Sequence, residues 1–218
     1  MYCISYYNQQ QYKCSKSYNS HLSSLSMMGG GPIRGDLIPK LISLTESSKL
    51  GLVKSNNNEI IEMMENIALT NDRVMKSDKN LIKKVNGNWK LLWTTEKETL
   101  FFAEKGLFNK KVTNIRQVIQ YNNDNKNNND NNKNYINNII EFEGNSEFNV
   151  LGELEYSLNN IQRVNFKFSN AKLVIPPFIN LNIPPVGKGW FDNIYVNEKY
   201  RLSKDIRGDY LISKRIVN

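Results

Sequence analysis

The sequence lacks the residues from which disulfide scaffolds and most metal sites are built. Its two cysteines, Cys3 and Cys14, and its one histidine, His21, all lie near the N-terminus. A disulfide framework or a Cys-ligated zinc site in the body of the chain is therefore excluded. Most nucleophilic sites also need His or Cys, and no phosphate-binding loop or other catalytic motif occurs. We therefore expect a binding protein rather than an enzyme, with no cofactor and no metal.

Long apolar runs and early acidic residues are also missing. The longest apolar runs span only a few residues, whereas a transmembrane helix needs about 20, so no membrane-spanning helix is predicted. No acid precedes Asp36, and residues 1–35 are rich in Ser and weakly basic. This composition is typical of a transit peptide, although an ordinary disordered terminus fits it equally well. The formal charge of +8 is spread thinly, so no nucleic-acid partner is expected.

What the sequence does contain is a change of hydrophobic period near residue 86. Before it, the apolar spacing predicts helices over 36–52 and 58–69 and a third, short helix ending near Lys84. After it, short segments rich in β-branched and aromatic residues recur at intervals of about ten and predict strands. These segments are 88–95, 99–103, 115–121, 135–142, 151–158, 161–168, 170–175, 190–196, 199–205 and 208–215.

The pattern predicts a mainly β fold (α+β) in one domain over 36–218, helical over 36–85 and an antiparallel β-barrel over 86–218. Residues 122–134 hold nine Asn, two Asp and two Lys, so we expect a disordered loop between two strands. Paired prolines stiffen residues 176–191 and deny donors to a sheet, which predicts a loop crossing a barrel end.

Charged residues on the predicted strands are candidates for a ligand site. In residues 162–168, Val164, Phe166 and Phe168 share one face and Arg163 lies on the other. Later, Arg201, Ser203 and Asp205 share a face, with Arg207 at a turn. An inward Arg could bind the polar head of a ligand through paired hydrogen bonds. The alternative, which we favour from the residues alone, is a structural ion-pair network.

A short motif opens the first predicted strand. Gly87-Asn88-Trp89 resembles the Gly-x-Trp opening of lipocalin barrels, in which the Trp lies at the closed end under an Arg from a late strand. Arg207 and Arg215 are the late arginines available for that role.

Longer strings resemble the plastid lipid-associated protein family, also called plastid fibrillins, and most closely its small single-domain branch. They are LISLT at 41–45 with KLGL at 49–52, GNWKLLWTTEKE at 87–98, QRVNFKF at 162–168, PPVGKGWFD at 184–192 and DIRGDYLI at 205–212. The resemblance implies a lipocalin-like barrel, a plastid (chloroplast) location at plastoglobules or thylakoids, and binding, stabilising or moving of hydrophobic lipids such as isoprenoids, quinones or carotenoids. It implies no catalytic set.

Three hypotheses follow: a lipid-binding barrel, a coat protein of plastid lipid droplets without an internal ligand, and an accessory or enzymatic factor of isoprenoid metabolism. The first predicts ligand contacts from Phe142, Arg163, Val164, Phe166, Phe168, Arg201 and Arg207. A structural or barrel-closing role is predicted for Gly87, Trp89, Asp205, Asp209 and Arg215. The second hypothesis predicts membrane contacts from Phe178, Trp190 and Phe191.

Overall fold

The computed structural model describes residues 34–121, 134–157, 159–184 and 187–217. The predicted transit segment, with its cysteines and histidine, lies outside these residues except for its last two positions. Most of the Asn-rich loop also lies outside them. Within the described chain, no helix has the length and apolar character needed to cross a membrane.

Three helices precede the sheet, as the sequence predicts, although the first ends at Ser47 and not at residue 52. They are α1 (Arg34–Ser47), α2 (Asn57–Ser77), which follows a 3-10 turn at Lys54–Asn56, and α3 (Leu81–Val85). Helix α2 continues eight residues past its predicted end. The apolar residues of α2 recur at helical spacing and are buried: Ile60, Met63, Met64, Ile67 and Met75.

Nine antiparallel strands follow in the order β4-β3-β2-β1-β9-β8-β7-β5-β6, and an additional β4–β5 pairing closes the first eight of these into a barrel. The strands are β1 (Gly87–Thr94), β2 (Val112–Gln120), β3 (Tyr135–Phe142), β4 (Ser146–Ser157), β5 (Asn160–Ile175), β6 (Ile179–Ile183), β7 (Lys188–Val196), β8 (Tyr200–Asp205) and β9 (Tyr210–Arg215). The predicted antiparallel barrel with N-terminal helices is confirmed.

One predicted strand is wrong. Residues 99–103 belong to a helix, α4 (Lys97–Lys105), which ends at Gly106 with a positive φ of 67°. Its aromatic composition resembled a strand. However, Thr99 and Phe102 lie one helical turn apart and face the protein, while Phe101 faces solvent. That spacing of three is a helical signal.

The C-terminal half differs from prediction in two further places. The segments 161–168 and 170–175 form the single long strand β5, whose first half pairs with β7 and whose second half pairs with β6. The Pro-rich segment does not simply cross a barrel end, because residues 179–183 form strand β6. Pro176 and Pro177 lie in the turn before it, where no ladder donor is required.

Because all strands are antiparallel, their connections fall at two opposite ends of the barrel. We call the end at Gly87 and Arg215 the closed end, and the opposite end, where α4 joins β1 to β2, the α4 end. The hairpin of β5 and β6 extends the wall beyond the barrel at the α4 end.

Helices α1 and α2 cover the outside of the barrel. Leu41, Ile60 and Met64 form one buried cluster with side chains of β1, β7, β8 and β9. A β-bulge between Leu91 and Trp93 in β1 makes this possible. It turns Trp93 outward to the helices while Leu91 stays in the inner cluster.

Candidate functional site

The closed end is built around Trp89, which is fully buried at the start of β1. Its Nε1 donates to the carbonyl of Val85 at 2.8 Å, which ties α3 to the barrel. The guanidinium of Arg215 lies 4.2 Å from the ring. Arg215 also donates to the carbonyls of Asn86 at 2.6 Å and Glu198 at 2.9 Å, and to that of Lys84. The late arginine over Trp89 is therefore Arg215, and all three of its nitrogens are hydrogen-bonded.

Gly87 is part of the same arrangement. Its φ is +141°, and a Cβ atom placed there would lie 2.2 Å from Nη1 of Arg215. The glycine of the Gly-x-Trp motif therefore makes room for the guanidinium that covers the tryptophan.

Arg201 lies inside the barrel on β8 and is fully buried. Its guanidinium lies 5.6 Å from the ring of Trp89 and 5.2 Å from that of Phe191. Nη2 donates to Oε1 of Gln117, whose Nε2 donates to Oδ1 of Asn138 at 2.7 Å. Burial lowers the pKa of Arg201 to about 10, with Tyr156 raising it and the charge of Arg215 lowering it.

Several polar atoms around Arg201 have no hydrogen-bond partner among the described residues. They are Nε and Nη1 of Arg201 and the hydroxyls of Tyr156 and Ser203. Burial raises the pKa of the Tyr156 hydroxyl well above its ordinary value, so it stays protonated as a donor. Buried polar groups in proteins are nearly always paired, so an unpaired cluster needs an explanation.

The apolar residues predicted to contact a ligand lie together inside the barrel. Phe142, Val164, Phe166 and Phe168 are all buried in the inner cluster. The rings of Phe166 and Phe168 are 5.0 Å apart. The predicted alternation of residues 162–168 is thus found in the structure, and these side chains pack against one another.

Three residues with predicted site roles lie in this region, and none of them is placed as its role requires. Phe191, a predicted membrane contact, pairs with Val164 and is 0% exposed inside the barrel. Arg163 points outward, donates twice to Asp192 at 2.9 and 2.8 Å, and stacks 3.6 Å over Trp190. Arg163 therefore cannot reach a ligand head inside the barrel, and Trp190 is covered by its guanidinium rather than free for a membrane.

Arg207 lies at the α4 end, in a network of carboxylates. Its guanidinium is 2.8 Å from Glu98, 3.4 Å from Asp205 and 3.3 Å from Asp209. Asp205 also accepts the backbone N–H groups of Arg207 and Asp209 at 2.8 and 2.9 Å, and Asp209 accepts the Thr95 hydroxyl at 2.9 Å. This is the structural ion-pair network considered above. It holds α4 against the β8–β9 turn, so Arg207 lies among carboxylates at the α4 end and not beside Arg201 inside the barrel.

Helix α4 lies across its end of the barrel. Phe102 packs its ring 6.3 Å from that of Phe142 and 6.0 Å from that of Phe148. On the outside of this end, large apolar side chains are exposed. We call them the apolar rim: Phe101, Phe108, Phe178, Leu181 and Ile206.

Of the predicted membrane contacts, only Phe178 belongs to the rim, at 91% exposed. The sequence pattern missed the other four. Exposed lysines also lie at this end, namely Lys97, Lys105, Lys111 and Lys188. No group of three or more metal-ligating side chains occurs in the part of the chain that the structure describes.

These features define the class of the protein as a lipocalin-like barrel: eight closed antiparallel strands, a Gly-x-Trp opening and a late arginine over the tryptophan. The PAP_fibrillin family model matches residues 35–214, so the chain belongs to this family of plastid lipid-associated proteins. It is 37% identical over 181 residues to "Probable plastid-lipid-associated protein 11, chloroplastic" of Arabidopsis thaliana, covering 81% of this chain and 77% of the relative. No solved structure matches significantly. The family and this relative identify a plastid protein.

The closed end yields a stability prediction. We expect Gly87→Ala to lower the free energy of unfolding by about 2–4 kcal/mol, because it adds backbone strain and a clash with Arg215. Gly208→Ala is the matched control: φ is +86° there, but the nearest atom to an added Cβ is 4.0 Å away. The control should cost only about 1–2 kcal/mol. Urea unfolding followed by tryptophan fluorescence measures both, and equal losses would contradict the proposed contact.

The Arg207 network predicts how firmly α4 is held. Arg207→Met should speed amide hydrogen exchange across Lys97–Lys105 without unfolding the barrel. Arg116→Met is the control, because Arg116 pairs with Glu141 at 2.7 Å on the outer face of β2 and does not contact α4. If exchange in α4 is unchanged by Arg207→Met, the network does not hold the helix.

The same network predicts a pH dependence. Partial burial raises the pKa of Glu98, but the hydrogen bond and charge of Arg207 outweigh it, so the pKa lies below the ordinary 4.5. A carboxyl group whose pKa is lower in the folded state than in the unfolded state stabilises the fold at pH values above the unfolded-state pKa. That stabilisation is lost as the pH falls through the folded-state pKa. Protection of α4 should therefore decline below about pH 4.5. That decline should shrink in Arg207→Met, and an unchanged profile would contradict the assignment.

Proposed function

We propose that this chain binds hydrophobic lipids of the plastid, such as isoprenoids, quinones or carotenoids, and works at the surface of plastoglobules or thylakoids. The observation that carries the proposal is the apolar rim. Its residues come from α4, the turn after it, the β5–β6 hairpin and the β8–β9 turn, yet all lie at the same end of the barrel.

The chemistry of the rim fits a lipid surface. Moving an exposed phenylalanine side chain from water into the boundary between head groups and acyl chains lowers the free energy of the system. The exposed lysines at this end would then meet anionic head groups, which attract each basic residue near the surface by about 1 kcal/mol. The rim and the lysines thus favour the same partner through two independent forces.

Other parts of the chain cover the closed end of the barrel and one side of its outer surface. Helix α3, Trp89 and Arg215 cover the closed end, and α1 and α2 pack against the outer faces of Trp93, Leu202 and Ile212. The α4 end is therefore the end that can face a lipid.

The proposed lipid binding has two modes, carrier and coat, and both use the apolar rim. As a carrier, the barrel would hold a lipid among Phe142, Val164, Phe166 and Phe168. As a coat, it would stay filled by these side chains, which already pack against one another. The unpaired donors around Arg201 favour the carrier, since no described side chain of a filled barrel accepts from them. Either form is a binding function rather than a catalytic one.

Vesicle flotation tests the docking surface. The triple variant Phe101→Ser, Phe108→Ser, Phe178→Ser should bind vesicles of phosphatidylcholine and phosphatidylglycerol at least about tenfold more weakly, because three apolar anchors are lost. The matched control is Leu69→Ser with Val74→Ser, which removes two exposed apolar side chains from α2 instead.

Vesicles without phosphatidylglycerol should bind the wild-type protein less well, since the lysines lose their anionic partner. The docking surface is wrong if the rim and control variants float equally, or if the wild-type protein does not float with either kind of vesicle.

A further inference from the structure

The interior of the barrel contains a cation without a counter-charge. Arg201 is fully buried, and its hydrogen bond inside the described chain is to the neutral amide of Gln117. The inward carboxylate on the same strand, Asp205, is bound by Arg207 and by the backbone of Asp209. A second cation, Arg215, acts against the charge of Arg201 and lowers its pKa further than burial alone.

Such an arrangement is costly. A buried ion loses several kcal/mol of hydration, and a partner of opposite charge is the usual compensation. Ordered water could satisfy the two unpaired donors, and the rings of Trp89 and Phe191 lie 5.6 and 5.2 Å from the guanidinium, but neither supplies an opposite charge. The contrast with Arg215 is direct, because the three nitrogens of that residue all donate to carbonyls that hold the closed end together.

We propose that Arg201 anchors an internal site for an ionised head group, a carboxylate or a phosphate, carried by an amphiphilic lipid. This inference deepens the proposed lipid-binding function and rests on it. The head group would accept a hydrogen bond from Nε or from Nη1 of Arg201, the donors that no described residue uses.

The free donors of Arg201 have polar neighbours but do not form a fork, because Nη2, which belongs to both parallel N–H pairs of a guanidinium, already donates to Gln117. An oxygen of a carboxylate or phosphate would therefore accept one charge-assisted hydrogen bond from Nε or from Nη1. The hydroxyl of Tyr156 lies within electrostatic reach of Arg201, and Ser203 lies two residues along on the same inner face. Both hydroxyls are unpaired within the described residues. The inward carboxylate on this strand, Asp205, is bound by Arg207 and by backbone N–H groups.

The apolar chain of the ligand has one direction to take. Trp89, Arg215 and α3 cover the closed end, so the chain would extend from Arg201 towards the α4 end. It would have to separate Val164, Phe166 and Phe168, which pack against one another without a ligand. A neutral quinone or carotenoid would supply hydrogen-bond acceptors at most. It would leave the charge uncompensated, and so the site should prefer an anion.

Soluble probes test the internal site without any lipid surface. The result is therefore independent of the result of vesicle flotation. The probes are decanoate, decyl phosphate, decan-1-ol and inorganic phosphate, each titrated into the full chain with tryptophan fluorescence and calorimetry as readouts. We expect saturable binding of decanoate or decyl phosphate, at least about tenfold tighter than binding of decan-1-ol, since charge-assisted hydrogen bonds are lost with the alcohol.

Inorganic phosphate distinguishes the source of the anion. If it does not compete with decanoate, the head group must be carried by a lipid. If it competes as well as decanoate binds, the anion site is supported but its ligand is a free anion. If decanoate and decan-1-ol bind equally, or if no anion binds, the proposal is overturned.

Variants locate the binding at Arg201. Arg201→Met should abolish the preference for decanoate over decan-1-ol, and Tyr156→Phe should reduce it. Arg116→Met is the matched control, because Arg116 lies one residue from Gln117 but points outward to Glu141. A preference that survives in Arg201→Met would contradict the proposal.

A second measurement distinguishes loss of the binding site from misfolding of the variant. Replacing an unpaired buried ion with an apolar residue of similar size is often neutral or stabilising. The ligand-free Arg201→Met variant should therefore melt at the same or a higher temperature than the wild-type protein, and decanoate should raise the melting temperature of the wild type alone. If Arg201→Met melts well below the wild type, Arg201 is a structural residue and the proposal is wrong.

Discussion

The contact between Arg215 and Trp89 determines which end of this barrel is closed. It joins the last strand to the first and, through the carbonyls of Asn86 and Lys84, brings in the helix that covers the opening. The contact depends on a glycine, because any side chain at Gly87 would occupy the position of the guanidinium. Among the described residues, this contact and α3 cover one end of the interior, and α4 lies across the other.

Four arginines of the barrel differ in their partners. Arg215 is fully bonded and structural, Arg163 is paired on the outer surface, and Arg207 holds α4 through carboxylates. Arg201 has the charge of the others but not their partners, although it is the most deeply buried of them. A buried cation without a partner of opposite charge costs hydration free energy, and this cost is the basis of the anion site that we propose.

The sequence predicted the barrel because β-strand alternation is a local property. The run from Gln162 to Phe168 alternates without interruption, and the structure places its apolar side chains inside as that pattern requires. Helix α4 was mistaken for a strand, because a nine-residue helix rich in aromatic residues has too few turns to reveal its period.

The roles of side chains were harder to predict than the helices and strands, because a role depends on which face of a strand the residue occupies. Trp190 and Phe191 are adjacent and chemically similar, yet β-strand geometry sends one outward and the other into the core. Arg201 and Arg207 lie six residues apart, one inside a strand and one at its turn, so only the fold separates a buried cation from an ion-pair network. The apolar rim was largely missed because its members come from separate connections that meet only in the folded chain.

The most direct test of the account is the ¹⁵N–¹H resonance of the Nε group of Arg201, assigned by its loss in Arg201→Met. A guanidinium that binds an ionised head group should show a large, saturable shift with decanoate and little shift with decan-1-ol. The Arg215 resonance should remain unchanged, because its partners are backbone carbonyls. An Arg201 resonance that does not move with decanoate, or that moves equally with the alcohol, would contradict the claim that the barrel holds an anionic lipid.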